Sequence, residues 1–233
     1  MKRKIRILVI EDEAAIRNGL VDVFVFHGYT VDCAHDGHEG LRKALGGTFD
    51  LIVLDVMLPG MDGFQICNRI RAQDRDQAII MLTAKTSDAD IIQGLTLGAD
   101  DYVTKPFSVA QLVLRVQAVL RRSRVGEEMN NKIVLSDDVE VDSQNLSGRR
   151  GAETLSFTRR EVEILQYLNA HSERPVSREE LLTKVWGYAK NLHIETRTID
   201  IHVAKLRRKL ESEPSAPRHL ITVRGAGYRL QRS

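Results

Sequence analysis

The residues best suited to chemistry are acidic side chains that end short apolar runs in the first half of the chain. Residues 5–10 form one such run and are followed by Glu11 and Asp12, and residues 51–54 form another that is followed by Asp55. If both runs are parallel strands of one sheet, the three carboxylates emerge together at its carboxyl edge. Mg²⁺ takes oxygen ligands of this kind, and without a cation the repulsion among the carboxylates would raise a pKa. The cluster therefore predicts a Mg²⁺ site.

A hydroxyl and an ammonium are expected at the same edge. Thr83 follows the apolar run 78–82, and Lys105 follows the run 101–103. Asp55 is then placed to act as a nucleophile toward phosphorus, with the cation and Lys105 neutralising the charge that develops and Thr83 donating to a phosphate oxygen. Each residue alone has a plainer interpretation, as a helix cap, a strand-end hydroxyl or a solvated charge. The joint pattern favours a phosphoryl site.

For these side chains to meet, their strands must lie in one sheet with their carboxyl ends at the same edge. Apolar runs alternate with stretches of helical period, and the runs lie at 5–10, 29–34, 51–54, 78–82 and 101–103. The clearest helical stretches are Ala14 to His27, Phe64 to Arg71 and Val109 to Arg122. Five strands alternating with five helices predict a parallel α/β sheet that is covered on both faces.

The second half of the chain has a different pattern. Residues 123–131 show no apolar period and contain Gly and Asn, which predicts a linker. Residues 132–157 contain short alternating pieces between turn-forming residues, which predicts a small antiparallel sheet. Three helices and a Gly-rich hairpin at 221–230 are expected to follow.

The helix starts carry capping signals. Thr158 with Glu161, and Ser177 with Glu180, have the spacing of capping boxes. The third helix is expected to begin at Glu195 or Thr196 and to run to about Glu211.

Composition narrows the classes of function. The chain has 233 residues, enough for two domains, and 42% of them are hydrophobic. Residues 197–233 hold 9 Lys/Arg against 3 Asp/Glu, which favours a polyanion partner, with a solvated basic helix as the alternative. Cys33 and Cys67 lack metal-site spacing and indicate a reducing compartment. Because no stretch approaches roughly 18 uncharged apolar residues, we expect no membrane span or membrane partner and a cytoplasmic location.

The helix expected at 197–210 has two contrasting faces. Its core side carries Ile199, Val203, Leu206 and Leu210, and its opposite side carries Arg197, Ile201, Ala204, Lys205 and Arg208. In a DNA major groove an exposed isoleucine would meet a thymine methyl while the cations meet phosphates or guanine edges. Asp200 lies at the flank, where it can accept from a cytosine amine or pair with nearby basic residues.

The terminal hairpin puts Arg224 near a compact tip. An arginine on a thin ribbon fits a narrow minor groove, although alone it would be interpreted as a solvent-exposed side chain. Helix, turn, helix and β-ribbon together are the layout of a winged helix-turn-helix.

The first half of the chain resembles the receiver domain of bacterial two-component response regulators. The matching segments are Ile-Glu-Asp-Glu at 10–13 and the motifs at 54–63, 81–84 and 98–107. The resemblance implies a flavodoxin-like fold over residues 1–123, with Asp55 phosphorylated by a sensor histidine kinase. It assigns Mg²⁺ to Glu11, Asp12, Asp55 and the Met57 carbonyl. It also makes Thr83 and Tyr102 a switch pair, and Lys105 the phosphate partner before a cis Pro106.

The second half resembles the output domain of the OmpR/PhoB subfamily. The matching segments are 155–165, 177–182, 185–186, 197–210 and 222–228. The resemblance implies an α+β winged helix-turn-helix domain over 132–233, joined by a linker at 124–131, with the loop 187–195 contacting RNA polymerase. The residues predicted to contact DNA are Arg197, Thr198, Asp200, Ile201, Ala204, Lys205, Arg207, Arg208 and Arg224.

In this subfamily, phosphorylation favours a symmetric dimer through residues 88–122, and the dimer binds two direct half-sites. The interface residues expected here are Ile91, Asp100, Asp101, Gln111, Arg115, Gln117 and Arg122. Asp101 and Arg115 preserve a family ion pair, whereas Ile91, Gln111 and Gln117 stand where the family usually has charged residues. We therefore expect the phosphorylated protein to form a homodimer whose stability depends on salt less than that of its relatives.

Two other functions are compatible with parts of this pattern. A phosphatase using Asp55 as its nucleophile would usually have a second Asp at the position of Met57, which argues against an enzyme. A protein-binding scaffold is disfavoured by the basic C-terminal end. The sequence therefore predicts a DNA-binding transcriptional regulator controlled by aspartyl phosphorylation.

Overall fold

The structure is a computed structural model that describes residues 3–84, 94, 97–121, 132–188 and 196–232, with the backbone alone at Arg121 and Arg197. These residues form two compact units, one within residues 1–123 and one within residues 124–233. The predicted linker at 124–131 lies outside the described residues. In the part of the chain that is described, no helix is long and apolar enough to cross a bilayer.

The N-terminal unit is built on a five-stranded parallel sheet, as predicted. Its strands are β1 (Arg6–Ile10), β2 (Thr30–Ala34), β3 (Leu51–Asp55), β4 (Ile79–Thr83) and β5 (Asp101–Thr104), in the order β2-β1-β3-β4-β5. Every residue of β3 and β4 is buried, which explains why these strands are continuous apolar runs rather than alternating ones. The strand order reverses at β1, so that a crevice opens between the carboxyl ends of β1 and β3.

Helices cover both faces of this sheet. The described ones are α1 (Ala14–Phe26), α2 (Gly37–Gly46), α3 (Gly63–Gln73) and α4 (Val109–Arg121). Buried side chains of α1 and α4 share one apolar core with the strands, and they include Leu20, Phe24, Leu112, Val116 and Val119. The remaining predicted helix falls between β4 and β5, where residues 85–93 and 95–96 lie outside the described residues.

The C-terminal unit contains the predicted sheet, helices and hairpin. Its antiparallel sheet is formed in chain order by β6 (Lys132–Val134), β7 (Val139–Asp142), β8 (Ser147–Arg150) and β9 (Glu153–Ser156). Three helices follow, α5 (Arg159–Ala170), α6 (Arg178–Lys184) and α7 (Arg197–Leu210). The hairpin consists of β10 (Leu220–Val223) and β11 (Gly227–Leu230).

The capping predictions are confirmed at α5 and only partly at α6. Thr158 donates its backbone N–H to Glu161 Oε2 at 2.8 Å and accepts from the Glu161 backbone, which completes a capping box. Ser177 accepts from the Glu180 backbone at 3.0 Å, but the Glu180 carboxylate turns to Arg174. Hydrogen bonds from Arg174 hold the pKa of Glu180 down to about 2. Among the described residues, therefore, only the serine half of that capping box is formed.

Candidate functional site

The polar residues predicted at the strand ends meet at one edge of the N-terminal sheet. Ligand oxygens of Glu11, Asp12 and Asp55 lie within 4.8 Å of one another. Glu11 and Asp55 are buried, with 0% and 2% exposure, and Asp12 is exposed. Parallel strands share their carboxyl edge, so residues that are 44 positions apart in the chain become neighbours here.

The Lys105 ammonium bridges two of these carboxylates. Its Nζ lies 2.8 Å from Glu11 Oε2 and 2.8 Å from Asp55 Oδ2. The backbone N–H of Met57 donates to Asp55 Oδ1 at 3.2 Å, and this orients the carboxylate. The Lys105–Pro106 peptide bond is cis, as the resemblance implied.

Burial and charge oppose each other in this crevice. Burial raises the pKa of Glu11, and the nearby Asp55 carboxylate adds to the rise, while the hydrogen bond from Lys105 lowers it. Burial alone would lower the pKa of Lys105, but its hydrogen bonds to Asp55 and Glu11 outweigh burial and raise it. The ammonium therefore stays charged between the Glu11 and Asp55 carboxylates.

The donor set fits Mg²⁺. This cation prefers oxygen ligands and is held in proteins by one or two carboxylates that leave room for phosphate and water. Glu11, Asp12 and Asp55 supply carboxylate oxygens, and the Met57 backbone lies beside Asp55. Burial is the main reason for the raised pKa of Glu11, and a divalent cation would also offset the Asp55 charge that adds to it.

Thr83 and Tyr102 lie on adjacent strands near this edge. Thr83 is fully buried, and its backbone carbonyl accepts the Lys105 N–H at 2.6 Å. Tyr102 is paired in register with Met81 and is 7% exposed. A Cβ atom at Gly94 would lie 2.9 Å from the Tyr102 ring, so the ring packs closely against this glycine.

The acidic residues predicted for dimerisation have partners within the chain. Asp101 Oδ2 accepts from Arg115 Nη1 at 2.8 Å. Asp100 Oδ2 accepts from Arg71 Nη2 at 3.1 Å and from the Ile79 backbone at 2.9 Å, and Asp100 is 4% exposed. The Asp100 carboxylate is therefore already paired with Arg71 on α3, and its place in the dimer interface stays a prediction.

Of the other predicted interface positions, two are described by the structure and two are not. Gln111 is exposed and Gln117 is half-buried. Ile91 and Arg122 lie outside the described residues.

The core side of α7 is confirmed, but its predicted exposed side is not uniform. Ala204 and Arg208 are exposed, and so is Arg224 at the hairpin tip. Ile201 is 8% exposed, so the premise of an isoleucine presented to a thymine methyl is wrong. The reason is that the first two turns of α7 are enclosed on nearly all sides, with buried residues at Thr198, Ile199, Ile201, His202 and Val203.

Lys205 does not face outward either. Its Nζ lies 3.0 Å from Oε1 of the fully buried Glu161, and Lys209 Nζ lies 2.6 Å from Oε2 of the same carboxylate. Burial alone would raise the pKa of Glu161, but the two ammoniums hold it below its usual value. This Lys–Glu–Lys cluster fastens α7 to the start of α5, and the pairing of Lys205 with Glu161 argues against its predicted contact with DNA.

Two further predicted DNA contacts are engaged with the hairpin. Arg207 donates to the Leu220 carbonyl at 2.8 Å and to Thr222 Oγ1 at 2.7 Å. Asp200 Oδ1 accepts from Arg178 Nε at 2.6 Å and from the Tyr228 hydroxyl at 2.5 Å.

Sequence reasoning missed Arg178 and Tyr228. Their partner Asp200 is 22 and 28 residues away, so no local spacing could indicate either contact. Burial and the hydrogen bond to Asp200 raise the pKa of Tyr228 to about 12, so its hydroxyl is protonated and donates. The side chain of Arg197 and the loop residues 189–195 lie outside the described residues.

Two protein families match this chain. The response regulator receiver domain matches residues 7–117, and the C-terminal domain of transcriptional regulatory proteins matches residues 152–230. The chain is also 39% identical over 236 residues to a probable transcriptional regulator, ycf27, of Guillardia theta, and the alignment covers 100% of this chain and 92% of that protein.

Solved structures agree with these matches. A RitR mutant superposes with a TM-score of 0.72 at 28% identity, covering 98% of this chain and 100% of that one. DrrB of Thermotoga maritima, an OmpR/PhoB homologue, has a TM-score of 0.53 at 28% identity with the same coverage. The family consists of transcriptional regulators rather than enzymes. This chain therefore belongs to the OmpR/PhoB family of two-component response regulators, which join a receiver domain to a DNA-binding domain.

Proposed function

We propose that phosphorylation of Asp55 switches this transcriptional regulator, with a phosphohistidine of a sensor kinase as the donor and Mg²⁺ as the cofactor. The observation that carries the proposal is the crevice itself. The buried Asp55 carboxylate lies 2.8 Å from the Lys105 ammonium and within reach of Glu11 and Asp12. A buried acid beside a fixed cation at a sheet edge is suited to phosphoryl transfer.

The proposed transfer is a simple displacement. An oxygen of Asp55 attacks the phosphorus atom, the P–N bond to the histidine ring breaks, and the electron pair returns to the ring nitrogen, which takes up a proton. Lys105 remains beside the incoming phosphoryl oxygens, and the Thr83 hydroxyl donates to one of them from the neighbouring strand end. Mg²⁺ held by Glu11, Asp12, Asp55 and the Met57 carbonyl would supply further positive charge there.

The proposed consequence is dimerisation of the receiver through one face, which carries Ile91, Asp100, Asp101, Gln111, Arg115, Gln117 and Arg122. Arg71 already neutralises Asp100, and two interface positions are uncharged glutamines, so few charges are available for pairing between chains. Val109 and Leu114 on α4 are 43% and 42% exposed, which adds apolar area nearby. We expect the dissociation constant of the phosphorylated dimer to change little between ~0.05 and ~0.5 M salt, where exposed ion pairs would be screened.

The dimer is proposed to bind direct-repeat promoter sites in the cytoplasm. The α7 helix would enter the major groove with Arg208 and Ala204 outward, and Arg224 would reach the minor groove. The loop 187–195 would contact RNA polymerase. Both arginines are exposed in the described part of the chain, which supports a contact with a polyanion at these positions.

A small phosphodonor tests the chemical step. Acetyl phosphate with Mg²⁺ should add one phosphoryl group per chain to the wild type, as measured by intact-protein mass spectrometry, and should add none after chelation of the metal. Asp55→Asn should abolish the label, whereas Asp22→Asn, a change at an exposed aspartate on α1, should leave it intact. Labelling of Asp55→Asn at the wild-type rate would place the nucleophile elsewhere.

Selection of bound oligonucleotides tests the output. Duplexes selected with and without acetyl phosphate should share a half-site, and a direct repeat should be enriched with the phosphodonor. Enrichment of the same single half-site under both conditions would contradict phosphorylation-dependent dimer binding.

A further inference from the structure

We propose that Arg178, Asp200 and Tyr228 form a positioning cluster that fixes the wing hairpin against the recognition helix, so that Asp200 affects DNA binding through the wing rather than by contacting a base. The three residues lie on α6, on the first turn of α7 and on β11. The inference rests on the proposed docking of α7 in the major groove and of Arg224 in the minor groove.

The three side chains form a closed triangle of hydrogen bonds. Asp200 Oδ1 accepts from Arg178 Nε at 2.6 Å and from the Tyr228 hydroxyl at 2.5 Å, and Arg178 Nη2 lies 2.9 Å from that hydroxyl oxygen. The Arg178 guanidinium also lies 4.7 Å from the centre of the Tyr228 ring. A carboxylate oxygen has about two lone-pair sites, so Oδ1 is already filled by these two donors.

The backbone of Tyr228 is fixed at the same place. Tyr228 and Val176 exchange two hydrogen bonds, at 2.7 and 2.9 Å, which attach β11 to the residue just before the N-cap of α6. Gly227 permits this close approach, because a Cβ atom there would lie 2.0 Å from the Val176 carbonyl oxygen. Tyr228 is thus held at both its main chain and its side chain.

The other strand of the hairpin, β10, is held by Arg207 of α7. Arg207 binds Leu220 and Thr222 on β10, and its guanidinium lies 5.8 Å from the Tyr228 ring. An isolated two-stranded hairpin is marginally stable in water, so the direction of its tip depends on such attachments. Arg224 lies in the three-residue connection between β10 and β11, four residues before Tyr228. Loss of a hydrogen bond of the triangle therefore makes the orientation of Arg224 at the tip less fixed.

A double-mutant cycle between Tyr228 and Arg224 tests the coupling. Tyr228→Phe removes one hydroxyl and keeps the buried ring, and Arg224→Ala removes the proposed minor-groove contact. Affinity for the selected duplex is measured by fluorescence anisotropy of the full-length phosphorylated protein. We expect Arg224→Ala to weaken binding about 10-fold in the wild type but less than about 3-fold in Tyr228→Phe, since coupled sites are not additive.

A matched control separates positioning from general loss of stability. Tyr167→Phe removes another hydroxyl of the same domain, which lies on α5, donates to Glu180 at 2.7 Å and takes no part in the triangle. In that background Arg224→Ala should keep its full effect. Asp200→Ala provides a second route to the same test. It removes the shared acceptor from a half-buried position and does not rely on the folding of Tyr228→Phe.

Each outcome supports or overturns the inference. Loss of the Arg224 effect in both Tyr228→Phe and Asp200→Ala, with the effect retained in Tyr167→Phe, supports it. An undiminished Arg224 effect in Tyr228→Phe overturns the positioning role and leaves the proposed docking intact. A changed preference at one major-groove base in Asp200→Ala alone would show that Asp200 reads that base. An Arg224→Ala variant that binds like the wild type overturns the wing contact, and with it this inference.

Discussion

Replacement of Lys205 by methionine should destabilise the DNA-binding domain and leave the DNA affinity of the folded protein almost unchanged. Methionine retains most of the apolar stem of lysine and removes the ammonium that lies 3.0 Å from Glu161. The helical wheel of α7 places Lys205 among the cations that face DNA. It therefore predicts a loss of DNA affinity without a loss of stability. The two expectations can be separated in one set of variants.

The expected loss of stability follows from the partners of Glu161. Breaking a buried ion pair completely costs about 3–5 kcal/mol. Here Oε2 keeps Lys209 at 2.6 Å and the Thr158 N–H at 2.8 Å, so only Oε1 loses its partner. The Lys205 ammonium forms an ion pair with Oε1 and no hydrogen bond, and Glu161 keeps its second cation when Lys205 is replaced. We therefore expect Lys205→Met to cost less than a complete break, about 2 kcal/mol.

Urea unfolding followed by Trp186 fluorescence measures this loss. Trp186 is the only tryptophan of the chain, is fully buried and lies in the C-terminal unit, so it reports on that unit. With a denaturant slope of about 1–2 kcal/mol per M, a loss of about 2 kcal/mol moves the midpoint by roughly 1–2 M. DNA affinity is measured without urea, where the folded form still dominates.

Arg208→Met is the matched control. Arg208 is on the same helix but exposed, so its removal should leave the unfolding midpoint in place. It should weaken DNA binding and lower the salt dependence by about one phosphate contact. If Lys205→Met unfolds at the wild-type midpoint and loses as much DNA affinity as Arg208→Met, then Lys205 faces DNA and the ion-cluster argument is wrong.

Three further predictions concern stability. Asp100→Asn strips the buried Arg71 guanidinium of its anion and should lower the unfolding free energy of the receiver by about 3 kcal/mol in thermal melts followed by circular dichroism. Acid should destabilise the C-terminal unit, because the pKa of Glu161 is lower in the folded protein than its usual value of 4.5. The stability from this group is fully present above pH 4.5 and is lost as the pH falls through the lower, folded pKa. The urea midpoint should therefore fall in acid, and Glu161→Gln should make the midpoint less dependent on pH. Gly227→Ala would place a methyl group 2.0 Å from the Val176 carbonyl at a φ of 125°, and it should cost more than about 2 kcal/mol, whereas Gly225→Ala, at φ 73° with open space around it, should cost about 1 kcal/mol.

The acidic crevice could be predicted from sequence because the topology of the sheet brings its residues together. In a parallel sheet every strand ends at the same edge, so identifying the strands by their apolar runs was enough to bring Glu11, Asp55 and Lys105 together. The α5 capping box was equally accessible, since Thr158 and Glu161 are only three residues apart. What could not be predicted was the partner of Asp100, because its burial against Arg71 depends on how α3 packs beside β5.

Helix α7 shows where helical periodicity alone no longer predicts which side chains are exposed. A helical wheel assumes one buried stripe and one solvent side, but the first two turns of α7 are enclosed on nearly all sides. Its cations find partners far along the chain, with Lys209 bonded to Glu161 across 48 residues and Arg207 to the hairpin. Only tertiary packing decides which of the nine basic residues of 197–233 stay available to a polyanion. The C-terminal charge of this regulator therefore stabilises its own fold as well as serving DNA, and the salt dependence of DNA binding should be shallower than nine cations would suggest.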